Sequence, residues 1–199
     1  MSNKRRRAKW YLLQKSVNTL IIHIYKPSFF LLIMIQQTLI IIKPDGLIKS
    51  LTGNIISVLS EVKLKIVGAK IVSVSKELAE KHYQEHREKP FFVELVNYLM
   101  GKYHTNRVLA MVYQGEDAIE KIRALCGSTN PEKADPISIR GKYGRINSQT
   151  QVFENAIHAS DSVESAEKEI KLWFKPDELT EKIFPTKKTT KKCVVEEWA

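Results

Sequence analysis

The chain of 199 residues is 43% hydrophobic and 27% charged, which suits one domain of ordinary size with a proper core. Its net charge of +10 has the look of a nucleic-acid footprint until it is divided along the chain. Residues 1–35 hold seven Lys and Arg and no acid, residues 181–199 five basic against three acidic, and residues 36–180 twenty against nineteen, so a general DNA-binding face on the body is not implied.

Residues 1–35 read as a basic, apolar extension. Lys4-Arg5-Arg6-Arg7 precede an apolar run from Trp10 to Ile35 that Lys15, His23, Lys26 and Pro27 interrupt. No unbroken span reaches the ~18–20 residues that a bilayer helix needs. No small-residue cleavage site of the secretory kind follows either. A translation start at Met34, just ahead of the first convincing strand, accounts for the mismatch with what comes next; a weak interfacial anchor is the other reading.

The expected domain spans 36–180. Gln37 to Lys43 is an apolar run rich in Ile, hence a buried strand, and Pro44-Asp45-Gly46 breaks it. Gly53 opens a helix with Ile55, Ile56, Leu59 and Val62 inward. Ile66 to Ser75 alternates as a second strand, Lys76 to His86 is an amphipathic helix, and Pro90 starts another through Phe91, Phe92, Leu95, Val96 and Leu99. Arg107 to Tyr113 is a third strand and Glu116 to Leu125 a helix. A long polar loop from Gly127 to about Gln151 leads to a last strand, Val152 to His158. Residues 181–199 read as an irregular Lys/Thr-rich arm. Strands and helices in this order predict an α+β, ferredoxin-like βαββαβ sandwich, a four-stranded antiparallel sheet with helices packed on it. Cys126 and Cys193 are isolated, as reduced thiols of a cytoplasmic protein would be.

The chemistry gathers at Asn155-Ala156-Ile157-His158-Ala159-Ser160-Asp161-Ser162. Asp161 is the expected N-cap of a closing helix, with Glu164 as its reciprocal partner and Val163, Ala166, Ile170 and Trp173 on the inner face. That places an imidazole at a strand-to-helix junction, with Ser160 beside it and Glu169 two turns along. An imidazole so placed is a capable nucleophile when a carboxylate or hydroxyl fixes its tautomer. Lys43, Arg123 and Arg140 supply cations suited to phosphate oxygens, and Thr129 one more donor. No Walker-type glycine loop is present. His82 and His86 lie four apart, but no Glu follows His82 as a metalloprotease helix requires, and a solvated helix face is expected.

Ile42-Lys43-Pro44-Asp45-Gly46, His82-Tyr83, Lys89-Pro90-Phe91-Phe92, Cys126-Gly127-Ser128-Thr129-Asn130-Pro131, Ile139-Arg140-Gly141 and the block from Asn155 to Ile170 occur in order. Over roughly 36–180 the chain resembles a nucleoside diphosphate kinase, and Asn-x-x-His-[Gly/Ala]-Ser-Asp is the most specific part of the match. The resemblance implies a ping-pong transfer. His158 takes the γ-phosphate of a nucleoside triphosphate and passes it to a nucleoside diphosphate. It implies Glu169 and Ser160 as supports of His158. Lys43, Tyr83, Arg123, Thr129, Arg140 and Asn155 match positions that contact phosphates or sugar, and Phe91 the aromatic that stacks on the base. Mg²⁺ would be carried in by the nucleotide phosphates, with no metal ligand from the protein, and the subunits would form a homo-oligomer, a hexamer or a tetramer.

Three departures stand out. A few extra residues lie around Tyr143 to Gln151, Phe153 stands where many relatives have Gly, and Glu154 where many have Arg. Val152 is a second candidate for the base side. The competing reading is a catalytically impaired relative that binds nucleotide or nucleic acid. The near-neutral body and intact His158 argue against it, and neither a specific nucleic acid nor a membrane is expected as partner.

Overall fold

The computed structural model describes residues 34–190, so the readings made for residues 1–33, Cys193 and the end of the arm lie outside the described residues. Strand β1 (Ile35–Ile42) is central. Thr38 to Ile42 are fully buried because both faces of the sheet are covered. Leu39 and Ile41 enter one apolar cluster with Val96, Leu99, Ile170 and Trp173; Ile40 and Ile42 enter the other with Ile55, Leu59 and Ile122. Each such side chain contributes about 1.5–3 kcal/mol by leaving water, and truncating one to Ala would cost about 2–5 kcal/mol.

Helices α1 (Pro44–Ile48) and α2 (Thr52–Ser60) follow, then β2 (Lys65–Ser73), α3 (Lys76–His82) and α4 (Phe92–Leu99). Strand β3 (Arg107–Glu116), α5 (Ala118–Cys126) and α6 (Ile139–Tyr143) come next. The chain continues through β4 (Arg145–Ile146), β5 (Phe153–Glu154), β6 (Ile157–Ala159) and α7 (Val163–Trp173). The four-stranded sheet has the order β2-β3-β1-β6 with antiparallel neighbours, as the ferredoxin-like expectation requires. Ile41 pairs with Ala110 on one side and His158 on the other, which carries the imidazole to the middle of the fold.

Several elements differ from the sequence reading. Pro44 does break β1, yet it then serves as the first residue of α1, where a missing N–H is harmless. The expected helix Lys76 to His86 ends at His82 and gives way to a 3-10 turn, Gln84–His86. Strand β3 runs on to Glu116, and the helix after it waits for Asp117, which takes a left-handed φ of 51°. The polar loop contains α6 and β4, and β4 pairs with β5, the first part of the expected last strand, as a two-stranded ribbon. The expected last strand splits at Asn155-Ala156, where Ala156 has φ 62° and turns the chain from the ribbon into the sheet. Ser162, rather than Asp161, caps α7 by accepting from Ser165 N at 3.1 Å. Both residues are competent caps; the end of β6 sets the register, and Val163 is consequently 41% exposed.

Candidate active site

Strand β6 and helix α7 build the centre from two directions. Strand β6 presents His158, and α7 presents Glu169 across from it. The carboxylate lies 3.0 Å from His158 Nε2 and also accepts from Ser160 Oγ at 2.6 Å. Ser160 is fully buried, and its Oγ in turn accepts from Leu39 N at 3.1 Å, which ties the pair to β1. With Nε2–H donated to Glu169, the lone pair of His158 is left on Nδ1.

The ring lines a cleft of about 1010 Å³ together with Lys43, Tyr83, Phe91, Arg123, Thr129, Arg140, Asn155 and Glu169. Nine of the ten residues singled out in the sequence thus border one cavity, and the tenth, Ser160, stands behind Glu169. Val152, Phe153 and Gln151 border it as well.

Lys43 is 5% exposed and donates to Asn155 Oδ1 at 2.9 Å, while Asn155 Nδ2 donates to Thr129 O at 2.8 Å. Burial first, and then the Arg140 guanidinium, push the Lys43 ammonium down to about 7. An anion brought against it would favour the charged ammonium. Arg140 is anchored by backbone carbonyls, Nη1 to Gly127 O at 2.8 Å and Nη2 to Ile157 O at 3.2 Å, which leaves part of its fork free. Gly127 can offer that carbonyl because it sits at φ 79°, where a Cβ would strike the Ser138 hydroxyl. Tyr83 contributes a buried hydroxyl with no partner; burial and then Glu169 raise its pKa, so it stays a donor. Phe91 is 49% exposed, free to present its face, whereas Phe92 packs against the core.

Two contributors escaped the sequence reading. Asp45, read only as part of the break after the first strand, is fully buried and accepts from Tyr98 OH at 2.5 Å and Ala156 N at 3.0 Å, holding the left-handed Ala156 just ahead of β6. His82 is the second, and the expectation of a solvated helix face fails for it. Its ring lies 4.5 Å from that of His158, between Tyr83 and Trp173, because α3 packs against α7. The amphipathic pattern of α3 could not distinguish a partner helix from water.

The stretch read as extra, around Tyr143 to Gln151, runs from the end of α6 through β4 to the tip of the ribbon, where Asn147 Oδ1 accepts from Gln149 N at 2.9 Å and Thr150 N at 3.1 Å. Glu154 turns away from the cleft. It is 1% exposed and accepts from Arg145 Nε at 2.6 Å and Asn147 Nδ2 at 2.7 Å, with His104 Nε2 at 3.1 Å. Burial raises its pKa, but the hydrogen bonds from Arg145 and Asn147 outweigh burial and hold the carboxyl below its usual range. Among the described residues no helix is long and apolar enough to cross a membrane.

A family model described as "Nucleoside diphosphate kinase" matches residues 36–179. The chain is 49% identical over 146 residues to the nucleoside diphosphate kinase of Pyrococcus horikoshii, covering 73% of this chain and 89% of that one. It is 50% identical over 144 residues to that of Pyrococcus abyssi, covering 72% and 87%. Among solved structures, a transition-state mimic of the Borrelia burgdorferi nucleoside-diphosphate kinase with bound vanadate and ADP matches with a TM-score of 0.67 and 34% identity, covering 74% of this chain and 92% of that one. The Aquifex aeolicus nucleoside diphosphate kinase matches with a TM-score of 0.65 and 38% identity, covering 74% and 100%.

Proposed function

The chain belongs to the nucleoside diphosphate kinase family, and on that premise we propose that His158 is its phosphoryl carrier. The enzyme is a phosphotransferase that moves the terminal phosphate of a nucleoside triphosphate to a nucleoside diphosphate. The observation that carries the assignment is the 3.0 Å contact of Glu169 with His158 Nε2, which leaves Nδ1 as the nucleophile at the wall of a cationic cleft.

In the first half-reaction the Nδ1 lone pair forms a bond to the γ-phosphorus as the bond to the bridging oxygen breaks, and the diphosphate leaves. Glu169 compensates the positive charge that the ring acquires, with Nε2–H staying in place. In the second half-reaction a terminal oxygen of an incoming diphosphate attacks the same phosphorus, and the electron pair returns to Nδ1. Lys43, Arg140 and Arg123 neutralise phosphate charge, and the Tyr83 hydroxyl supplies a donor that has no partner within the protein. Phe91 stacks on the base with little regard for its identity, and Val152 is suited to the other face.

The family has a divalent-metal requirement, and Mg²⁺ fits the donor set. Of the carboxylates bordering the cleft, Glu169 is engaged by His158 and Ser160, while Asp161 and Glu85 are exposed and stand singly rather than as a cage. A hard cation that prefers oxygens is then held by the phosphates it arrives with. We assign residues 36–180 to the kinase domain, with 1–35 an extension and 181–199 an arm; the family match over 36–179 supports this division. A homo-oligomer, hexamer or tetramer, is supported by Ile66 and Ile71 standing exposed on the edge strand β2. A cytoplasmic location is in keeping with Cys126, a buried free thiol among the described residues.

The test is to incubate the full chain and its His158→Ala variant with γ-labelled ATP and Mg²⁺, then add GDP. Acid-labile, base-stable label that requires His158 and moves into GTP is expected. Nucleotide binding without label would instead favour an impaired relative.

A further inference from the structure

His82 is the second imidazole at the centre, and the carrier role of His158 gives it no task. Its Nδ1 accepts from Trp173 Nε1 at 3.2 Å, and its Nε2 is buried with no hydrogen-bond partner. Its ring stands edge-on to three others: 4.5 Å and 78° from His158, 4.7 Å from Tyr83 and 5.5 Å from Trp173. A neutral imidazole has one lone pair, and Trp173 occupies it, so Nε2 bears the proton.

This tautomer decides between two roles. A nitrogen of His82, one of His158 and an oxygen of Glu169 lie within 4.8 Å of one another, a set that could hold a metal ion. A metal at His82 would need a lone pair that Trp173 has already taken. The same occupancy removes His82 as a competing base or nucleophile beside His158. What remains is a rigid, uncharged ring against the nucleophile. Burial, with the charges of His158, Lys43 and His86 around it, drives the pKa of His82 well below the usual histidine range and keeps it uncharged. Glu169 and Trp173 stand one turn apart on α7, so a single helix sets both supports of His158, the carboxylate directly and the ring through His82.

We propose that His82 is a positioning residue for phosphoryl transfer: with its lone pair locked by Trp173, it holds the His158 ring at the angle its attack requires by packing edge-on against it. A misplacement of about 1 Å at a reacting group can cost about 100-fold in rate. The proposal rests on His158 being the phosphoryl carrier, which the labelling of wild type against His158→Ala tests separately.

The test uses the full chain with His82→Ala and His82→Phe, each confirmed as folded by thermal melting. His82→Ala should slow phosphoenzyme formation by about 10- to 100-fold, with nucleotide affinity held within about threefold. His82→Phe, which restores an uncharged ring, should recover most of the lost rate. A rate within twofold of wild type in His82→Ala would overturn the proposal. So would a fall in rate matched by an equal loss of affinity, or a His82→Phe variant as slow as His82→Ala. If wild-type protein takes up no label at His158, the carrier assignment itself fails, a result distinct from all three.

Discussion

Glu169 meets His158 at Nε2, 3.0 Å away, and Ser160 secures the same carboxylate from behind at 2.6 Å. The imidazole therefore has one nitrogen committed and one free. The phosphoryl group is expected on Nδ1, read by nitrogen chemical shifts of the labelled protein. A phosphate found on Nε2 would mean that the Glu169 contact does not persist in the reacting state.

Replacing Glu169 by Gln keeps the shape and removes the charge that compensates the imidazolium. Phosphoenzyme formation should fall by about 10²–10³, as for the loss of one electrostatic stabiliser, with nucleotide affinity little changed. Ser160→Ala should cost less, because Ser160 acts only through Glu169. A larger defect in Ser160→Ala than in Glu169→Gln would reverse that order.

Lys43 is held at about 7 by burial, with Arg140 adding to the effect. A nucleotide phosphate against its Nζ favours the charged form and raises that value, so binding should take up a proton at pH about 8. Calorimetry of ADP binding in buffers of different ionisation enthalpy measures the uptake directly. Lys43→Gln should abolish it. Binding enthalpies independent of buffer in the wild type would show that Lys43 is charged before the nucleotide arrives.

Phe91 offers an exposed face at the cleft and makes no base-specific hydrogen bond. Stacking is worth about 1–3 kcal/mol per base, so Phe91→Ala should raise KM roughly tenfold for every diphosphate while leaving kcat in place. Steady-state kinetics with ADP, GDP, CDP and UDP give the comparison. A loss confined to one base would place recognition elsewhere, with Gln151 on the ribbon the first residue to test.

Glu154 is buried on a network with Arg145, Asn147 and His104. Its folded-state pKa is depressed, so the stability it contributes is present above the ordinary Glu range and is lost as pH falls through the lowered value. Glu154→Gln should destabilise the protein by about 1–3 kcal/mol at pH 7, and the gap should close in acid. Denaturant melts at the two pH values decide; a gap of equal size at both would mean the charge is irrelevant to the network.

Much of this was legible before any coordinates. Leu39 to Ile42 of β1 are buried on both faces because none of the four is polar enough to face water, and pattern alone says so. The spacing of Val163, Ala166, Ile170 and Trp173 likewise predicts the inner face of α7, which the last three form while Val163, next to the cap, is exposed. His158, Lys43 and Arg140 are legible through the ordered motifs that resemble the family; read singly, each Lys or Arg would pass for a solvated surface charge. The ribbon β4–β5, the break at Ala156 and the cap at Ser162 were not legible. Each depends on which distant segment comes to lie alongside, and local propensity does not carry that information.

By itself, then, the sequence determined the apolar core and the order of most elements, since hydrophobic periodicity is a local property, and its ordered motifs, through their resemblance to the family, named the reactive side chains. Only the tertiary structure decided how those side chains are held. Asp45 became a brace for Ala156, His82 a ring support and Glu154 an internal anchor through partners 111, 91 and 50 residues away in the chain. A buried polar group must find a partner or forfeit its hydration, and which partner it finds is set by packing across the sheet, where sequence distance has no bearing.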